Sequence, residues 1–377
     1  MSSRRRTPLA ALLVLGALLL SAGACRRDEV IYIGIAGALT DPVGRPMKLG
    51  AELAMQEINA AGGIGGRRLE LIERDDFASP DSAVVVAAEL YATDVSAVVG
   101  HLFSGTTLAA APVYNGGTDP LVAISPSSSA PEVSNAGPYT FRVCPSDDAH
   151  GTALAQWVRE RLGLHRGVVL YNNDEYGRGV RSRFVGEFTR RGGELAGVFP
   201  YLGSTPDVNA YLDHIAADGG VQFIVLAGNR SEAEEVIRQS RRRGLTLPVL
   251  GADGLEGIEQ SGGLAEGVHF TMAYLPLLET PTNRKFVAAY RARYPNELPP
   301  NQPAAATYDA VHMLSGVMRT AGSDREAVRE ALLRIDAEAP YEGVVGTIAF
   351  DSLGDVPTRQ VYMGVVRNGA IRLAGGQ

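Results

Sequence analysis

The sequence predicts an α/β protein built from two doubly wound parallel-sheet units. Short apolar runs alternate with segments of helical periodicity from Val30 onward, and such alternation implies parallel strands joined by right-handed crossovers. The alternation starts afresh after Arg142. The chain's 377 residues also exceed what one core ordinarily serves, so two domains are expected.

Val30 to Ile35 reads as the first buried strand, and Met47 to Ala61 carries apolar residues near helical spacing until the glycines at 62, 63, 65 and 66 stop it. Leu69 to Ile72 is the second strand, Asp81 to Ala92 the second helix, and Ala97 to Val99 the third strand. After Arg142 come helix Asp147 to Leu162, strand Gly167 to Tyr171, helix Arg178 to Arg191 and strand Glu194 to Pro200. Helix Val208 to Ala217, strand Phe223 to Ala227, helix Ser231 to Arg243 and strands Leu247 to Gly251 and Val268 to Met272 complete the second unit. Helices follow at Asn283 to Arg293, Ala304 to Arg319 and Arg325 to Leu333, then a last strand at Gln360 to Val366.

Polar residues gather where apolar runs end. His101 to Thr107 follows the third strand with the hydroxyls of Ser104 and Thr106 and opens a helix; Ser125 to Pro131 follows the fourth, with Ser127 and Ser129. Open α/β sheets hold ligands at the carboxyl ends of their strands, and a helix start offers free N–H donors and a positive dipole end. Two such clusters on neighbouring strands favour a small anionic group over simple turn chemistry. In the second unit Tyr176, Asn229 and Asp253 occupy the corresponding strand ends.

Composition narrows the function. With 45% hydrophobic and 20% charged residues, 44 Gly and 21 Pro, the chain reads as a loop-rich globular protein. Its net charge is −7, and loss of Arg4, Arg5 and Arg6 with a leader makes it more acidic, which argues against nucleic acid as a partner. The arginine run from Arg238 to Arg243 reads as a solvated helix end. No G-x-G-x-x-G follows the first strand and no P-loop occurs, so no nucleotide cofactor is expected; the six histidines lack metal-ligand companions. His101 stands three residues before Ser104, yet no G-x-S-x-G elbow surrounds that serine and no acid is evident to orient the imidazole. His101 is therefore expected to be structural, and catalysis is not expected. Residues 1–24 read as a secretory leader, with three arginines ahead of the apolar run Leu9 to Leu20. Cys25 follows directly, and Leu20 to Cys25 resembles the lipobox of bacterial lipoproteins, with Ala22 where their usual Leu stands. A membrane anchor through lipid on Cys25 is expected, with an exported location. Cys144 is then the one remaining thiol and is read as buried and inert.

At Gly100 to Thr107 and Ser125 to Glu132 the chain resembles the type I periplasmic binding proteins for leucine, isoleucine and valine, which carry similar G-H-x-x-S-x-x-T and [ST]-P-x-x-[ST]-A-P-E segments. Glu57 to Ile64 and Arg74 to Asp76 are similar to the family as well. The resemblance implies two lobes joined by a three-strand hinge: 30–143 with 276–351, and 144–275 with 352–377, after a tether at 25–29. It implies an amino acid captured between the lobes for the permease of an ABC importer, with Ser104 and Ser129 on the carboxylate and the Ser127 backbone nearby. Tyr176 lies in the family's Y-G-x-G turn, Asn229 takes the place of a ligand-facing Tyr, and Asp253 stands where relatives place an acid on the α-ammonium. The loop Asp41 to Pro46 is about three residues shorter than the family's and lacks its aromatic; Arg45 is read as a solvated loop residue. The family's first-lobe disulfide is absent, its positions being Ala78 and Phe103. Receptors for another carboxylate or an amide, a sensory lobe, and a hydrolase using Ser104 are the competing readings.

Overall fold

The computed structural model of the chain describes residues 30–203 and 206–375. Strands β1 (Ile31–Gly37), β2 (Leu69–Asp75), β3 (Val95–Val99), β4 (Ala123–Ser125) and β5 (Thr140–Arg142) form a parallel sheet in the order β2-β1-β3-β4-β5. Helices α1 (Arg45–Ala60), α2 (Pro80–Tyr91) and α3 (Ser104–Asn115) make its crossovers. Every residue of β3 is buried, as expected of a parallel strand covered on both faces.

The chain then builds a second sheet from β6 (Arg166–Asn172), β7 (Glu194–Tyr201), β8 (Phe223–Ala227), β9 (Val249–Gly251) and β10 (His269–Met272), with helices α4 (Asp147–Gln156), α5 (Glu175–Arg190), α6 (Asn209–Ala217) and α7 (Arg230–Arg242). Helices α8 (Pro281–Arg293), α9 (Gln302–Ala321) and α10 (Arg325–Leu332) return to the first sheet, where Phe286, Ala305, Leu314 and Val328 share a core with Ile33, Ile35 and Val99. Close approach makes this possible: a Cβ on Gly50 of α1 would lie 2.2 Å from the Ala304 carbonyl oxygen of α9. A hairpin of β11 (Tyr341–Glu342) and β12 (Thr347–Ile348) follows. Finally β13 (Tyr362–Arg367) pairs antiparallel with β10, and β14 (Ala370–Leu373) with β13, giving the order β14-β13-β10-β9-β8-β6-β7. The chain thus passes between the two units three times, after β5, after β10 and before β13.

Most helix ends differ from their sequence reading by a residue or two, and three of the differences have a plain form. Helix α5 starts at Glu175 rather than Arg178, because Asp174 caps it by accepting from the Gly177 N–H at 2.7 Å. Helix α9 starts at Gln302 because Asn301 caps Ala304 at 3.1 Å. The expected helix Asp147 to Leu162 widens into a π turn at Trp157–Arg161. The short strands β11, β12 and β14 carry too little periodicity to be read from sequence.

The passages are tied together by Arg142, which is 1% exposed. Its guanidinium donates to the carbonyls of Ser129 (3.0 Å) and Ala130 (2.9 Å), to Ser134 Oγ (2.7 Å) and to the Asp355 carboxylate (2.7 Å from Nε). Burial pushes the Asp355 carboxyl up, but the Arg142 guanidinium overcomes this and holds it below the usual aspartate range. Arg142→Met should destabilise the protein by roughly 3–5 kcal/mol, since Asp355, the Ser134 hydroxyl and the Ser129 and Ala130 carbonyls lose their donor. Because the folded pKa of Asp355 is depressed, its stabilising contribution is present above about pH 4 and is lost as the pH falls through the lowered value. Urea unfolding of both proteins should therefore show a gap that is full at neutral pH and narrows on acidification.

Candidate functional site

The site sits where the two sheets reverse direction. In the first sheet the reversal falls between β1 and β3, and in the second between β6 and β8; α/β sheets open a crevice for ligands at such points. Helix α3 starts there with Phe103 at its N-cap, a residue with no side-chain acceptor, so its first-turn N–H groups are left without a side-chain cap. Gly105 in that turn faces the other unit: a Cβ there would stand 3.0 Å from Glu175 Oε2 at the start of α5.

Several hydroxyls of the two serine and threonine clusters are spent on building the site. Ser125 Oγ donates to the His101 carbonyl (2.7 Å) and accepts from the Ser128 N–H (2.9 Å), while Thr107 and Ser128 bond each other at 2.7 Å. Thr106 donates back to the Phe103 carbonyl at 2.9 Å. Ser104 Oγ accepts from the Ala130 N–H at 3.2 Å, which leaves its proton free to donate. Ser127 is half-buried, and Ser129 is 1% exposed with its hydroxyl unpartnered among the described residues. A buried donor without a well-placed acceptor is rare, and here the carboxyl of Asp147 is its neighbour.

Across from these donors the second unit presents acceptors. Tyr176, in the first turn of α5, donates to Asp253 Oδ1 at 3.0 Å and accepts from the Gly254 N–H at 2.7 Å. Burial and the Asp253 charge push the Tyr176 phenol well up, so it stays a donor. His150, fully buried on α4, bonds Thr271 Oγ1 through Nδ1 (2.8 Å) and brings Nε2 to 3.5 Å from Asp253. Burial holds its pKa below the ordinary value, so the ring is neutral at neutral pH. Asp147, at the start of α4, is completely buried, and neither carboxylate oxygen has a hydrogen-bond partner among the described residues. Its backbone N–H reaches the Ser129 carbonyl at 2.7 Å, which seats it against the serine loop. Burial, then repulsion from Asp253, pushes the Asp147 carboxyl well up, and the neighbouring Ser129 hydroxyl offsets this only in part.

Asp147 and His150 were missed in the sequence. Asp147-Asp148 reads as an acidic helix start, and nothing local says that Asp147 is buried while Asp148 is exposed. Asn229 is the N-cap of α7, and Glu232 Oε2 accepts from its backbone N–H at 2.9 Å. Tyr176 is in a helix turn rather than a loop.

His101 is a satisfied structural residue as expected, though an acid does orient it: Asp76 Oδ2 lies 2.6 Å from Nδ1. Its Nε2 faces Tyr114 at 3.1 Å, so the imidazole is occupied on both sides within the first unit rather than serving as a base for Ser104. Arg45 is exposed and paired with Glu297 at 2.6 Å. Cys144 is buried, and burial pushes its thiol far above the reactive range. Among the described residues no helix is long and apolar enough to cross a membrane. Cys25 lies outside the described residues.

Comparison with known proteins accords with this geometry. The periplasmic binding protein family model matches residues 31–370. A leucine-, isoleucine-, valine-, threonine- and alanine-binding protein of Pseudomonas aeruginosa is 30% identical over 336 residues, 87% of each chain. The leucine binding protein LivK of Thermotoga maritima superposes with a TM-score of 0.83 at 28% identity, over 92% of this chain and 98% of that one. The branched-chain amino acid transporter substrate binding protein LivJ of Streptococcus pneumoniae, solved with isoleucine, gives 0.81 at 27% identity, over 91% and 98%. With the family model covering nearly all of the described chain and two wound lobes facing one cleft, this protein belongs to the periplasmic binding protein family.

Proposed function

We propose that the protein captures a free amino acid in its cleft and delivers it to the permease of an ABC importer. One observation carries this reading: unspent donors and unspent acceptors face one cleft from opposite lobes. Ser104, Ser129 and the uncapped start of α3 supply donors for a carboxylate, with the half-buried Ser127 beside them. Asp253 and the unpartnered Asp147 supply acceptors for an ammonium group, with Tyr176 fixing Asp253 in place and the neutral His150 ring 3.5 Å away. A zwitterion satisfies both sets at once. Each charge-assisted bond is worth about 1.5–3 kcal/mol, so a handful gives micromolar affinity. The lobes are 30–143 with 276–351, and 144–275 with 352–377, closing about the three passages. The names of the curated relatives support an amino acid as the ligand class. No catalytic role is assigned to Ser104.

Asp253→Asn keeps the shape but leaves a desolvated ammonium without its counter-charge, and should weaken binding by roughly 3–5 kcal/mol. Ser129→Ala should cost less, about 1–3 kcal/mol, because neutral donors remain. Calorimetry against free amino acids, their N-acetyl forms and simple aromatic carboxylates reads this out. Equal binding of N-acetyl or des-amino compounds, or a silent Asp253→Asn, would make the protein a carboxylate or amide receptor instead. Small-angle scattering at saturation should show a smaller radius of gyration, since only a ligand touching both lobes favours the closed form.

Asp147→Asn should separate affinity from stability. The variant should bind more weakly yet melt higher at neutral pH, because it removes a buried carboxylate without a partner. The folded pKa of Asp147 is raised, so its penalty is absent below the usual aspartate pKa and grows as the pH rises from there. Thermal midpoints of the two proteins should thus converge in acid and part toward neutrality.

We further propose that Cys25 carries lipid and holds the exported protein at a membrane surface. Acyl chains add about 0.8 kcal/mol per buried CH₂, and several together anchor stably. Cys25→Ser should release soluble protein and abolish incorporation of labelled fatty acid; a native protein that never takes up the label would refute the anchor.

A further inference from the structure

Glu256 follows Asp253 by three residues in the second lobe, and its Oε1 accepts from the backbone N–H of Gln302 at 3.0 Å. Gln302 is the first residue of α9, a helix whose core partners lie in the first lobe. That N–H is one of the donors a helix cannot satisfy from its own backbone, and the Asn301 cap is already engaged with Ala304. The acceptor therefore comes from across the cleft; burial pushes the Glu256 carboxyl up to about 8, the Gln302 N–H only partly countering this, so its oxygen accepts as part of a largely neutral acid at neutral pH. The side chain of the same residue continues the chain of contacts. Gln302 Nε2 donates to the Pro126 carbonyl at 2.6 Å, and Pro126 opens the loop that holds Ser127 and Ser129. Gln302 is 4% exposed, so neither of its donors has water as a ready substitute while the lobes are together.

We propose that Glu256 and Gln302 form an interlobe clasp: the carboxyl oxygen of Glu256 in one lobe holds the start of α9 in the other, and Gln302 passes that restraint to the serine loop of the ligand site. Parting the lobes breaks the Glu256 bond and leaves the Gln302 N–H to water. Both bonds join protein groups only, so the clasp operates with the cleft empty and biases the free protein toward closure. Glu256 and Gln302 are positioning residues. The link from clasp to affinity rests on the amino-acid reading above, whereas the clasp itself does not.

The Gln302 amide reports the clasp directly. Pro303 has no N–H, so exchange at Gln302 stands apart from that of the next residue. In ligand-free protein, Glu256→Ala should speed hydrogen exchange at this amide about tenfold and raise the radius of gyration. Glu256→Gln should restore most of the protection, because an amide oxygen accepts the same N–H. Gln302→Ala keeps the backbone donor on Glu256 and frees only the loop, so it should leave the radius of gyration near the native value. With L-leucine as the probe, Glu256→Ala and Gln302→Ala should each raise Kd severalfold. Native protein whose Gln302 amide exchanges at the unprotected rate, or Glu256→Ala that alters neither exchange nor size, overturns the clasp. L-leucine that fails to bind the native protein counts against leucine as the solute, while the ligand-free measurements still decide the clasp.

Discussion

The buried guanidinium of Arg142 is the constraint on which the rest of the site depends. Loops carry backbone polar groups that need partners, and the loop from Ser125 to Pro131 must remain buried between the lobes without a strand or helix ladder of its own. Arg142 resolves this by donating to the carbonyls of Ser129 and Ala130 while its charge is met by Asp355 in the last passage. Arginine suits the place because its planar fork serves several acceptors at once and stays charged when buried. One side chain thereby fixes the shape of the ligand loop and joins two of the three passages between lobes.

A second buried arginine extends the same arrangement. Arg359 donates to the Ala273 carbonyl at 3.2 Å and to the carbonyl of Val345, and Asp309 on α9 accepts from the N–H groups of Val344 (2.9 Å) and Val345 (2.8 Å). Burial raises the Asp309 carboxyl to about 7, and the two N–H donors only partly counter this. Arg359 thus ties the passage before β13 to the one after β10 through Ala273, and to the first lobe through Val345. Such a hinge can bend while the lobes move as rigid bodies. Four of the buried polar atoms without a partner among the described residues lie at the cleft: Ser129 Oγ, both oxygens of Asp147 and His150 Nε2.

Much of this was written in local sequence. The strand and helix alternation, restarting after Arg142, fixed the number of wound units because periodicities of 2 and 3.6 and continuous apolar runs leave few other solutions. Ser104, Ser129, Tyr176 and Asp253 could be located because strand ends and helix starts are local features, and the resemblance to leucine-binding proteins gave them roles to test. Tertiary structure decided the rest. Asp147 and Asp148 are neighbours of identical chemistry, yet packing against Ser129 and Gly179 buries only the first. Asp76 meets His101 across 25 residues, and Glu256 meets Gln302 across 46. No spacing rule predicts such pairs, since burial and partner choice are set by which strands lie side by side, and that order exists only in the folded chain.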